Sequence, residues 1–281
     1  MARTPSRTCA VVLWMATVVA TVFLVAGCTS TTTTEISNPP IPTVSETSVP
    51  TKSKSDPDKA LEGHIQLALN YIGTDQRDQA RFHIDKAMAL NSRSPGIYNA
   101  QALLYQVEKE DKLAEENFRK ALSYDSNFTR ARYNFGSFLY SRGRFEEAYE
   151  QFTRAGQDLD YNLRGQVFYR IGVTAAKLGK PQEAEQAWGK AINLMPTLPG
   201  PYLELAELYF QRRELPQTKA ALERYQDLAK PSARSLWLGA RLEHALGNED
   251  GVASRTLALQ KLFPQSREVV AYQEWVKNGR P

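Results

Sequence analysis

The stretch YNFGSFLYSRGRFEEAYEQFTRA, Tyr133 to Ala155, decides the fold. Phe135 and Gly136 precede the breaker Gly143, and Ala148, Phe152 and Ala155 follow it at helical spacing, so the stretch reads as two helices folded back around a glycine turn. Gly136 and Ala148 are small where the helices must approach, and the large residues fill the space left between hairpins. Glu146 and Glu147 open the second helix, where the positive end of the helix dipole favours acids.

The same order of small and large residues returns every 34 positions, the period of the tetratricopeptide repeat. Residues 61–94 place Leu67, Ala68, Tyr71, Ala80, Ile84 and Ala87 at the signature positions, and residues 95–128 place Tyr98, Ala102, Tyr105, Ala114, Phe118 and Ala121 there. The quoted stretch occupies 129–162. After a two-residue insertion, residues 165–198 give Phe168, Ile171, Gly172, Ala184, Trp188, Ala191 and Pro196. Residues 199–232 keep Tyr202, Leu205, Ala206 and Tyr209 but put Thr218 where a smaller residue is expected, and 233–266 keep only Leu236, Ala240 and Pro264, as terminal repeats often do. REVVAYQEWVK, residues 267–277, reads as an amphipathic helix covering the end of the stack. The expected fold is all-α, a right-handed superhelical solenoid of about six tetratricopeptide repeats with a C-terminal capping helix, spanning residues 60–281; an irregular helical bundle is the competing reading.

Ahead of the repeats, Arg3 and Arg7 and the apolar run Ala10–Ala26 read as an export signal over residues 1–27, with an uncleaved membrane anchor as the alternative. Val25–Cys28, VAGC, resembles a bacterial lipobox, which implies that Cys28 is acylated and becomes the first residue of the mature chain. Thr29 is not the aspartate that lipoprotein sorting reads as inner-membrane retention, so the same resemblance favours the outer membrane. More than one acyl chain makes a stable anchor, where a single one is marginal. Residues 28–59, rich in Ser, Thr and Pro, have too few large apolar side chains to offset the entropy of ordering them and read as a disordered tether. Cys9, the only other cysteine, falls in the removed segment and leaves no disulfide partner.

The chain holds 35 basic and 31 acidic residues; loss of Arg3 and Arg7 with the signal leaves the two nearly balanced, which argues against a nucleic-acid partner. His64, His83 and His244 are read as lying in different repeats, with no second metal-ligand type at coordinating spacing, so no metal is expected. The acid pairs Glu115/Glu116 and Glu146/Glu147 read as charges stabilising helix starts, and no nucleophile or phosphate-loop motif is present. The reading is a non-enzyme with no cofactor and no small-molecule substrate. A solenoid offers instead a concave face lined by the first helix of each repeat. Projection of that face selects Ile65, Leu69, Ile72, Asn99, Leu103, Gln106, Val107, Tyr133, Tyr140 and Tyr169, followed by Val173, Leu203, Phe210 and Trp237. These residues form a groove for a partner segment if they are exposed, and core if they are not.

With the lipobox and the six repeats, the chain resembles the type IV pilus biogenesis and stability lipoprotein family called PilW or PilF. Tyr133–Ala155, SARSLWLGARLE (Ser232–Glu243) and LQKLFPQSREVVAYQEW near the end are the segments that match. The resemblance implies an outer-membrane pilotin, lipid-anchored on the periplasmic face, that binds secretin subunits and promotes their assembly. A tetratricopeptide scaffold for peptidoglycan enzymes or for outer-membrane β-barrel assembly is the alternative. Cys28→Ser is expected to abolish palmitate labelling of the protein in growing cells, and equal labelling of wild type and variant would show that the anchor lies elsewhere.

Overall fold

The computed structural model describes residues 56–279. The expected export signal, Cys28 and the tether up to residue 55 lie outside the described residues. Among the described residues there are thirteen α-helices and no strand. Twelve helices pair as hairpins: α1 (Pro57–Gly73) with α2 (Arg77–Leu90), α3 (Pro95–Val107) with α4 (Asp111–Tyr124), and α5 (Thr129–Ser141) with α6 (Phe145–Ala155). They continue with α7 (Arg164–Lys177) and α8 (Pro181–Leu194), α9 (Pro199–Gln211) and α10 (Leu215–Leu228), and α11 (Ala233–Ala245) and α12 (Glu249–Leu262). The last helix, α13 (Arg267–Lys277), packs on α11 and α12, where the first helix of a further repeat would stand. The fold is an all-α solenoid of tetratricopeptide hairpins. Helix α1 starts at Pro57, so residues 57–59, expected in the tether, form its first turn: proline at the helix start has no N–H to leave unpaired, and Asp56 Oδ1 accepts from the Asp58 amide at 3.1 Å.

Every hairpin turns by the same backbone device. The first helix ends in a residue with positive φ, namely Asp75, Lys109, Gly143, Gly179, Arg213 and Gly247 in chain order. The following amide reaches back five residues to a carbonyl, as in Gln76 to Tyr71 at 2.9 Å, Arg144 to Leu139 at 3.0 Å and Asn248 to Glu243 at 2.9 Å. This Schellman arrangement satisfies carbonyls that the helix end would otherwise leave bare, and reverses the chain within three residues.

Between the two helices of a hairpin the eighth repeat position is always small: Ala68, Ala102, Gly136, Gly172, Ala206 and Ala240 are all buried. Gly136 and Gly172 face aromatic rings. A Cβ on Gly136 would stand 2.9 Å from the Phe152 ring, and one on Gly172 only 2.4 Å from Trp188 Nε1. Phe118, Phe152 and Trp188 then bury almost their whole surface, and each fully buried large apolar side chain contributes roughly 1.5–3 kcal/mol. In the fifth repeat, which lacks alanine at the small second-helix position, Thr218 is fully buried and its Oγ1 donates to the Glu214 carbonyl at 2.9 Å, so the threonine fits without an unpaired hydroxyl. Neighbouring first helices touch along the stack except for α5 and α7, where the two hairpins pack through α6 and α7 instead.

Gly172→Leu forces a side chain into the Trp188 ring and is expected to lower the melting midpoint by at least about 2 °C, because overpacking costs roughly 1–3 kcal/mol and 1 kcal/mol moves a domain of this size by about 2–4 °C. A change within about one degree would mean that this contact does not set the helix spacing.

Candidate partner-binding surface

The first helices α1, α3, α5, α7, α9 and α11 carry the residues expected to line the concave face. Three of them do not present it. Ile65, 4% exposed, joins Ala68, Ile84 and Ala100 in the core of the first hairpins, and Leu203, 6% exposed, packs with Ala206 and Leu222. Asn99, 1% exposed, is a tie between repeats: its Oδ1 accepts from Asn134 Nδ2 at 2.9 Å. At these positions the side chain is directed into the inter-repeat contact, and burial wins over display. Leu69, Ile72, Leu103, Gln106, Val107, Tyr133, Tyr140 and Tyr169 are half-buried, as are Val173, Phe210 and Trp237. Leu69 and Ile72 lean on the core of the first hairpins, and Leu103, Tyr133 and Tyr140 on that of the central ones. The surface is therefore a row of partly covered apolar and tyrosyl side chains rather than a deep greasy channel.

Farther along the stack the surface becomes charged, which apolar projection of the sequence missed. Arg234 at the start of α11 binds two carboxylates of α9, donating to Glu204 at 3.0 Å through both terminal nitrogens and to Glu207 at 2.8 and 3.1 Å. The hydrogen bond to Glu204, ahead of that to Glu207, holds the Arg234 guanidinium well above its ordinary pKa, against the opposing effect of burial. This cluster forms one wall of a concavity of about 550 Å³ whose other walls include Tyr140, Val173, Lys177 and Trp188. Burial raises the Tyr140 hydroxyl pKa, and burial followed by the charge of Glu204 raises that of Tyr169, so both phenols stay protonated and able to donate. Next to it, Arg241 of α11 lies over the rings of Phe210 and Trp237 at 4.9 and 5.4 Å.

One acid of each pair sits elsewhere in an ion pair. Arg144 bridges Glu115 of α4 and Glu147 of α6, tying the second and third hairpins together on the side of the second helices. His64 and His83, read from the sequence as lying in different repeats, face each other across the first hairpin with Nδ1 atoms 2.9 Å apart, and Tyr71 stacks on His83. They lie 19 positions apart, one on each helix of the same hairpin, a pairing that a search for closely spaced ligands overlooks. Among the described residues no three metal-ligating side chains come together. What the concave face offers is hydrogen-bond donors, aromatic faces and fixed charge over a long shallow track, which suits a peptide or protein segment.

No family model matches the chain. It is 35% identical to the type IV pilus assembly protein PilF of Pseudomonas aeruginosa over 226 residues, covering 80% of this chain and 88% of that protein. The solved structure of P. aeruginosa PilF superposes with a TM-score of 0.73 at 35% identity, covering 78% of this chain and 98% of that one. The crystal structure of PilW, described as a widely conserved type IV pilus biogenesis factor, superposes with a TM-score of 0.66 at 27% identity, covering 76% of this chain and 99% of that one. Identity at this level, along nearly the full length of the relative and of its solved structure, shows that the chain belongs to the PilF/PilW family of tetratricopeptide-repeat proteins.

Proposed function

We propose that the protein acts in type IV pilus biogenesis as an outer-membrane pilotin, a lipoprotein anchored through Cys28 that binds secretin subunits and promotes their assembly into the ring through which a pilus emerges. The observation that carries this reading is the 35% identity to a type IV pilus assembly protein across 80% of the chain. The concave face supports it physically. Leu69 on α1 and Leu103 on α3 occupy the same repeat position in consecutive hairpins and remain half-buried, so each keeps apolar surface for a partner to cover. The sequence between Cys28 and residue 56, read as a flexible tether, lets the repeats reach about 30 Å from the lipid, far enough to meet a subunit before it enters the membrane.

Replacing Leu69 and Leu103 together by glutamine removes apolar contact worth about 1 kcal/mol at each position, since full burial of a leucine is worth roughly 1.5–3 and each is already half covered. The expected outcome is a loss of secretin binding of about 30-fold, with fewer heat-resistant secretin multimers and fewer pili, while circular dichroism and protein level hold. A folded double variant at normal level with a full complement of multimers would remove these two residues from the binding surface.

A further inference from the structure

We infer that Arg241, held between Phe210 and Trp237 on the concave face, is an anchoring site for an acidic side chain of a bound peptide segment, with an apolar or aromatic neighbour of that acid resting against Trp237 and Trp275. The starting observation is that, among the arginines of the last three hairpins, Arg241 alone has a side-chain nitrogen that is buried with no acceptor among the described residues. Arg234 is matched by Glu204 and Glu207, Arg255 by Glu243, and Arg212 by Glu185. Arg241, like Arg164, Arg170 and Arg213, has no carboxylate ion pair among the described residues, but it differs from them in its buried, unbonded Nε. Its guanidinium carbon stands 4.9 Å from the centre of the Phe210 ring and 5.4 Å from that of Trp237, and its Nε is buried with no acceptor among the described residues. The closest acid electrostatically, Glu207, is already bonded to Arg234 at 2.8 Å.

Ring faces compensate a cation only in part, and removal of water from this guanidinium depresses its pKa. A carboxylate brought to the exposed end of such a group meets a charge that water screens weakly, and forms a charge-assisted bond stronger than a neutral one. Among the described residues no carboxylate bonds Arg241: the two on the facing helix α9 bond Arg234, and the charge of Glu207 acts on Arg241 without a hydrogen bond.

The surroundings select the rest of the ligand. Trp237 meets Trp275 edge to face at 5.5 Å, and both are half-buried, so their outer edges form an aromatic ledge beside Arg241. On the other side the surface runs on to Glu207 and Gln211 and into the 550 Å³ concavity. A track open on both sides fits a segment that passes through, so the acid is an aspartate or glutamate within a chain rather than a chain terminus.

This inference rests on the reading that the concave face receives a protein segment, and its test does not use secretin assembly, so its failure leaves the pilus role untouched. The probe is the doubly capped peptide acetyl-Gly-Phe-Asp-Phe-Gly-amide, titrated against the full-length protein in detergent and followed by tryptophan fluorescence. The controls are the same peptide with asparagine, and the asparagine peptide with its terminal carboxylate free. The aspartate peptide is expected to bind wild type at least roughly tenfold tighter than either control. Arg241→Met should erase that difference with the circular dichroism unchanged, and Arg241→Lys should restore only part of it, because lysine keeps the charge and loses the planar stack. Failure of the aspartate peptide to bind wild type, equal binding of the aspartate and asparagine peptides, tighter binding of the free-acid control, or a preference that survives in Arg241→Met would each overturn the assignment.

Discussion

The close approach of two helices at one small residue per repeat is the constraint on which the rest of the molecule depends. With Gly172 at that point the ring of Trp188 lies directly on the backbone of α7, and with Gly136 the ring of Phe152 lies on α5. A hairpin closed this tightly buries its inner face but leaves one side apolar, and only a neighbouring hairpin can cover that side. Stacking therefore follows from the contact, and a row of first helices on one surface follows from the stacking. Helix α13 ends the series, burying Val269 against Leu236 and Leu259 in place of another repeat.

Charge does a different job from the core in this fold. Pairs on open surface, such as Arg154 with Glu150, are worth at most about 1 kcal/mol each in water. The Arg234 cluster is half-buried and uses both acids of α9, so its main effect is to fix the orientation of α11 on α9 and to leave Arg241 without a carboxylate of its own. That division places a cation bonded to two carboxylates and a cation bonded to none two turns apart on the same helix, beside an aromatic ledge. A surface built this way recognises a partner by where its acid falls relative to its apolar residue, which area alone could not do.

The fold was legible because its period is enforced by backbone chemistry. Prolines at the starts of α3 and α9 and glycines at Gly143 and Gly179 stand where helices must begin or turn, and the inserted residues before α7 were visible as a break in the 34-residue register. The turns at Asp75, Lys109 and Arg213 were less visible, since non-glycine residues there adopt positive φ at a cost of roughly 1–2 kcal/mol each that the hairpin contact overrides. The surface was less legible than the fold. Periodicity says that Ile65, Asn99 and Leu203 share a helix face with Leu69 and Tyr140, but the side chains of the next hairpin decide which of them is covered. Apolar projection was also blind to Arg234 and Arg241, whose roles come from which acids stand across from them in the next hairpin.

The central claim is that the concave row of first helices is where a secretin subunit is held. Photo-crosslinking in living cells tests it most directly, with a benzophenone amino acid placed at Leu103 or Tyr140 on the first helices, or at Leu194 or Leu257, which are exposed on second helices. Secretin adducts are expected from Leu103 and Tyr140 and not from Leu194 or Leu257. Adducts from the second-helix positions with none from the concave pair would contradict the account.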